Sequence, residues 1–101
     1  MLIRRWQAAV VPDKSQIIKM FTMEGLEPFE EVFPSKAEIN DHRHPFDEVR
    51  MVASGELLLN IAGNQLLLRA GDRIVIPSNT KHSKKVNGEE ECVCICAKKA
   101  F

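Results

Sequence analysis

The sequence predicts an all-β fold, a small barrel or sandwich of short antiparallel strands, preceded by a single helix. Three observations predict it. From Phe29 onward, apolar and β-branched runs of about 4–7 residues are punctuated by turn residues. Before Phe29 lies the one stretch with helical apolar spacing and a capping signal. The chain has 101 residues, 45% hydrophobic and 28% charged, which suits one folded domain and excludes both a disordered tail and a multidomain enzyme.

The N-terminal segment, 1–28, carries the helix, placed at about 13–24. Asp13 is positioned to cap it and Gln16 to return the capping bond, while Ile17, Ile18 and Phe21 form one apolar stripe. Gly25 suits the left-handed residue that ends it. The stripe calls for a helix packed on the outside of the domain. In the remainder, 29–101, strands are expected at 29–33, 36–39, 48–53, 56–61, 65–69, 73–76, 83–86 and 92–97. Ala62-Gly63-Asn64 and Ala70-Gly71-Asp72 mark tight turns, and Asn87-Gly88 carries the residues of a hairpin turn. Lys84 and Lys85, followed by Glu89, Glu90 and Glu91, read as the charged edges of that surface hairpin.

Composition narrows the function classes. Fourteen Lys and Arg against fourteen Asp and Glu give no net charge, so no basic field draws the chain to nucleic acid or anionic lipid. No apolar run reaches the roughly 18 residues of a membrane span, and residues 1–10 carry two Arg without the apolar stretch of a signal peptide. A cytoplasmic protein with neither nucleic-acid nor membrane partners is expected. Cys92, Cys94 and Cys96 are an odd set within five residues, poorly spaced for a bridge, and read as small core residues on one strand face, opposite Val93, Ile95 and Ala97.

The stretch that carries chemistry is His42-Arg43-His44-Pro45-Phe46-Asp47-Glu48, with the third histidine, His82, forty residues beyond the first. On an extended segment residues two apart share a face, so His42 and His44 can aim at one point and Glu48 can join them after the turn at Pro45. His82 would arrive from a distant strand. Imidazole and carboxylate without thiolate favour one divalent transition metal, iron, manganese, nickel, zinc or copper, with no choice among them. An HxH pair alone also fits two exposed histidines in a turn.

At these residues the chain resembles the cupin family. His42-x-His44-x3-Glu48-x6-Gly55 matches the metal-ligand and glycine positions of the first cupin motif, and Gly71-x5-Pro77-x4-His82 is similar to the second. Two positions depart from the pattern: Asn79 stands where a glycine is usual, and Val86 where the motif ends in asparagine, Asn87 coming one residue late. The resemblance implies a single cupin jelly-roll barrel of six or more strands over the whole chain, with one metal held by His42, His44, Glu48 and His82. It also implies pairing into a homodimer, for which Leu2, Ile3, Trp6 and Phe101 are candidate apolar contacts.

Alternation from Glu48 places Arg50 and Val52 on its face and Val49, Met51 and Ala53 on the other. Arg50 thus becomes the candidate to bind an anionic small molecule, or else to pair with an acid inside the barrel. Asp41, Arg43, Asp47 and Lys81 flank the ligands as solvated loop charges. The functional expectation is a metal-dependent enzyme of dioxygenase or isomerase type acting on a small, anionic organic molecule. A non-catalytic metal-containing module that binds or senses a small ligand is the alternative. A purely structural metal fits less well, since such sites are closed and favour cysteine.

Overall fold

The computed structural model describes residues 2–99. In chain order these form β1 (Leu2–Arg4), α1 (Lys14–Met23), β2 (Phe29–Phe33), β3 (Glu38–His42), β4 (Asp47–Ser54), β5 (Glu56–Ile61), β6 (Asn64–Leu68), β7 (Arg73–Ile76), β8 (His82–Asn87) and β9 (Cys92–Lys99). The strands make two antiparallel sheets, ordered β1-β7-β4-β9-β2 and β3-β8-β5-β6. They face each other as a jelly-roll barrel with the helix outside, as the sequence predicts.

Two-residue alternation on β4 and β9 explains the layering. Val52, Cys92, Cys94 and Cys96 face the opposite sheet and meet Leu57, Leu59, Leu68, Ile74 and Ile76 between the layers. Val49, Met51, Ile95 and Ala97 face the other way and receive Ile17 and Phe21 of α1, both wholly buried. Burying each of these two side chains contributes about 1.5–3 kcal/mol, enough to dock a ten-residue helix that would be marginal alone. The capping box forms as read: Asp13 Oδ1 accepts from the Gln16 amide at 2.9 Å, and Gln16 Oε1 accepts from the Asp13 amide at 2.9 Å. Ile18 is not part of the buried stripe; it is exposed, because the face turned to the sheet is that of Ile17, Met20 and Phe21.

Several expectations are corrected. A ninth strand, β1, comes from the N-terminal segment and pairs with β7, Leu2 opposite Val75. Ile3 and Trp6 are consequently partly buried against the two core clusters, Leu2 stays exposed, and Phe101 lies outside the described residues. The second strand begins at Glu38, not at 36, because Lys36 takes a left-handed φ of 64° in the turn after Pro34. Asn87-Gly88 does not close a hairpin: β8 belongs to one sheet and β9 to the other, so the segment crosses between layers. Lys84 is therefore no surface charge. It is buried and points into the barrel, whereas Lys85 is exposed and 3.4 Å from Glu38.

One close approach depends on glycine. Gly71, at φ 93°, lies under Trp6, where an added Cβ would stand 2.6 Å from the Trp6 Cβ. Asp72 completes this junction by accepting from the amides of Trp6 and Arg69, both at 3.0 Å, and from Arg5 Nη1 at 2.7 Å. One carboxylate thus closes the β6–β7 turn and ties the N-terminal segment to it. Among the described residues no helix is long and apolar enough to cross a membrane.

Candidate metal centre

The three histidines converge from both sheets' connections. His42 ends β3, His44 follows it in the loop to β4, and His82 opens β8 directly opposite His42 in the β3–β8 ladder. His82 therefore starts a strand, one residue before the expected strand at 83–86. A hydrogen-bonded frame holds the two loops together. The Asn79 amide donates to the His44 carbonyl at 2.6 Å, Arg43 Nη1 donates to the Asn79 carbonyl at 3.0 Å, and the Ser78 amide donates to Asp47 Oδ1 at 2.8 Å. Arg43 and Asp47 are thus structural ties and not free loop charges. Asn79 adopts the left-handed φ of 58° that the motif's usual glycine would supply.

The ring centroids lie 4.3 Å (His42–His82), 4.6 Å (His42–His44) and 5.2 Å (His44–His82) apart. One nitrogen from each ring can be chosen so that all three lie within 4.8 Å of one another. Two of the rings are oriented by the backbone. His42 Nδ1 is 2.8 Å from the Asn40 carbonyl, and His82 Nδ1 is 2.8 Å from the Thr80 carbonyl. A carbonyl oxygen only accepts, so both Nδ1 atoms carry the proton and both Nε2 atoms keep a lone pair. His82 Nε2 is buried with no hydrogen-bond partner among the described residues. An imidazole lone pair left unpaired in the interior is costly for a structure and suited to an ion. Burial holds the His44 and His82 imidazoles below their usual range, which keeps the ligating neutral form at neutral pH. These donors fit a transition metal.

Glu48 stands beside the trio with its Oε1 3.3 Å from His44 Nε2. It also accepts from Lys84 Nζ at 3.2 Å and, through Oε2, from Arg50 Nε at 3.1 Å. Burial would raise its pKa, but Arg50 and Lys84 outweigh burial and bring it down to about 2. Burial in turn lowers the Lys84 pKa. Arg50 lies inside the barrel, as alternation predicts; its Nη2 donates to Glu31 Oε1 at 2.5 Å, and Nη1 has no hydrogen-bond partner among the described residues. Three free thiols line the strand behind it, all buried, with Cys92 and Cys94 Sγ 3.8 Å apart and unbridged.

His42, His44, Glu31, Glu48, Arg50 and Lys84 line a cavity of about 660 Å³. Its deep end carries His42, His44, Glu48, Arg50 and Lys84; its walls carry Phe29, Phe33, Ile39 and Phe46. Sequence reasoning missed Lys84, Glu31 and Phe46. Lys84 was within reach of the same alternation that placed Arg50, for it sits two residues after His82 on one strand. Glu31 gave no signal, because its partner Arg50 lies nineteen residues away on a different strand.

The chain belongs to the cupin domain family, whose model matches residues 29–98. No curated protein matches the sequence. Among solved structures, the chain is similar to a DMSP lyase from Ruegeria pomeroyi DSS-3, at 20% identity and a TM-score of 0.67 over 74% of this chain and 38% of that one. It is similar to oxalate oxidase in complex with the substrate analogue glycolate, at 27% identity and a TM-score of 0.67 over 76% of this chain and 43% of that one. It also resembles the Drosophila melanogaster CENP-C structure bound to CAL1, at 19% identity and a TM-score of 0.65 over 71% of this chain and 60% of that one. The chain thus spans less than two thirds of the length of each of these proteins. Their fold is shared; their activities and partners differ from one to the next.

Proposed function

We propose that this cupin holds one divalent transition metal through His42, His44 and His82, with Glu48 as the fourth ligand, and acts as a metal-dependent enzyme of oxygenase or isomerase type on a small anionic organic molecule. The observation that carries the reading is the pair of backbone-oriented imidazoles in a histidine trio that can place one nitrogen of each ring within 4.8 Å of the others, His82 Nε2 being buried without a partner among the described residues. A bound ion would supply Lewis-acid polarisation of a substrate oxygen or a site for dioxygen. The protein's own contribution is to fix the ligands, exclude water and set the charge of the cavity. Arg50 and Lys84 keep Glu48 ionised, and Arg50 supports binding of an anion as buried positive charge at the cavity's deep end. The likeness to oxalate oxidase with bound glycolate, at 27% identity, favours a small carboxylate.

A non-catalytic binding or sensing module is the second reading, favoured by the ion pairs that already engage two of the cavity's acids, Glu31 and Glu48, with Arg50. Elemental analysis of protein purified without added metal tests the centre: we expect about one transition-metal ion per chain in the parent and none in His82→Ala. An absence of bound metal in the parent, with no uptake on adding iron, manganese, nickel, zinc or copper, overturns the proposal. Oxygen-uptake and isomerase assays over small carboxylic acids then separate enzyme from binder.

A further inference from the structure

Lys98 has no role in the two motifs. It stands directly opposite Glu48 in the β4–β9 ladder, which puts both side chains on the inner face of that sheet, and it lines the mouth of the cavity. Its ammonium lies 5.0 Å from the centre of the Phe46 ring, and that ring stacks on His44 at 4.8 Å with an interplanar angle of 19°. Phe46 therefore packs against both a cation and an imidazole. Arg50 and Lys84 are both committed to carboxylates, whereas Lys98 makes no ion pair among the described residues. Three carboxylates line the cavity, Glu27, Glu31 and Glu48, against three cations, Arg50, Lys84 and Lys98. The lining is therefore neutral, and a divalent ion would leave it two charges positive, a surplus an anionic ligand would offset.

The walls add a second requirement. The strands β2 and β3 end their respective sheets and do not pair with each other. Across this open side Phe29 and Ile39 are 43% and 38% exposed, and Phe33 and Phe46 continue the apolar surface inward. Apolar side chains left open at a cavity mouth, beside a cation held over a ring, match an amphipathic acid better than a compact polar one.

We propose that Lys98, held over Phe46, recognises the anionic group of a ligand that carries an apolar body, such as an aryl-substituted carboxylate, the body lying along Phe29, Phe33 and Ile39. This rests on the metal reading only for the charge surplus. Phenylacetate serves as the probe, with acetate, which lacks the body, and phenylacetamide, which lacks the charge. Each is titrated by calorimetry into the parent and into Lys98→Gln, with metal content measured on both. Phenylacetate should bind the parent about tenfold more tightly than either control, and Lys98→Gln should remove about tenfold of that affinity without changing metal content or phenylacetamide binding. Equal binding of acetate and phenylacetate overturns the apolar body; unchanged phenylacetate affinity in Lys98→Gln, or no phenylacetate binding to either protein, overturns the proposal. Should the parent hold no metal and take none up, the metal reading fails, and the same comparison on the metal-free chain still decides for or against Lys98.

Discussion

Replacing Glu48 by glutamine removes the one negative charge that lies between two buried cations. The side-chain exposures are 8% for Glu48, 2% for Arg50 and 5% for Lys84, so water reaches them only from the cavity and replaces the lost carboxylate incompletely. Removing one partner of a buried pair typically costs about 3–5 kcal/mol, since the surviving charge stays desolvated and uncompensated. A second route gives a similar size. The Glu48 carboxyl falls from 4.5 to about 2 in the folded chain, and at 1.36 kcal/mol per unit this amounts to about 3 kcal/mol of preference for the charged form. Glutamine keeps one acceptor oxygen, so we expect a loss near about 3 kcal/mol, a large share of an ordinary domain's stability. The assay is urea unfolding of metal-stripped protein at pH 7, followed through the fluorescence of Trp6, the single tryptophan, which is half-buried against Gly71. Adding Lys84→Met removes one orphaned cation and should restore about half of the loss. If Glu48→Gln unfolds within about 0.5 kcal/mol of the parent, the carboxylate is not what keeps Arg50 and Lys84 in the barrel and the electrostatic account of the cavity is wrong.

Three further outcomes are expected. Phe21→Ala leaves a cavity between α1 and the outer face of β4 and β9, and should cost about 3–5 kcal/mol in the same unfolding assay while metal content is unchanged. Gly71→Ala both strains a φ of 93° and drives a Cβ against Trp6, so the Trp6 emission should shift toward that of exposed tryptophan and stability should fall by about 1–3 kcal/mol; an unaltered spectrum would show that Trp6 does not cover this turn. At Asp72 burial raises the pKa, but the amides of Arg69 and Trp6 and the Arg5 guanidinium outweigh it and leave it lowered. The stability Asp72 contributes is therefore fully present above its unfolded pKa of about 4 and is lost as pH falls through the lower folded value. Asp72→Asn should be less stable than the parent at pH 6, with the gap narrowing below pH 4; a gap independent of pH would mean that the carboxylate's charge is not what holds the N-terminal segment.

The fold class was legible because its signals are local. The Asp13–Gln16 capping box and the alternation on β4 depend on residues within a few positions of one another, and both appear as read. The histidine trio was legible for a different reason: the residue types and spacings around His42, His44 and His82 resemble the cupin motifs, and their side chains do gather. Strand bounds were less so, as at Lys36, where a single left-handed residue in a turn delays β3 by two positions.

What the sequence by itself determined about this protein is the alternation that puts Glu48 and Arg50 on one face, the apolar stripe that docks α1, and the identity of the donors available to an ion. Only the tertiary structure decided what those charges meet. Lys84 and Lys85 are neighbours in a run that reads as surface, yet alternation on β8 turns one inward and the other outward, and it is the packing of the two sheets that sets Lys84 against Glu48 and Lys85 beside Glu38. Leu2 to Arg4 becomes a strand only because β7 offers an open edge. Arg50 and Glu31 meet because β4 and β2 both flank β9. Charge pairing and edge pairing depend on which strands come to lie side by side, and that is settled by burial of the whole chain, so no window of sequence contains it.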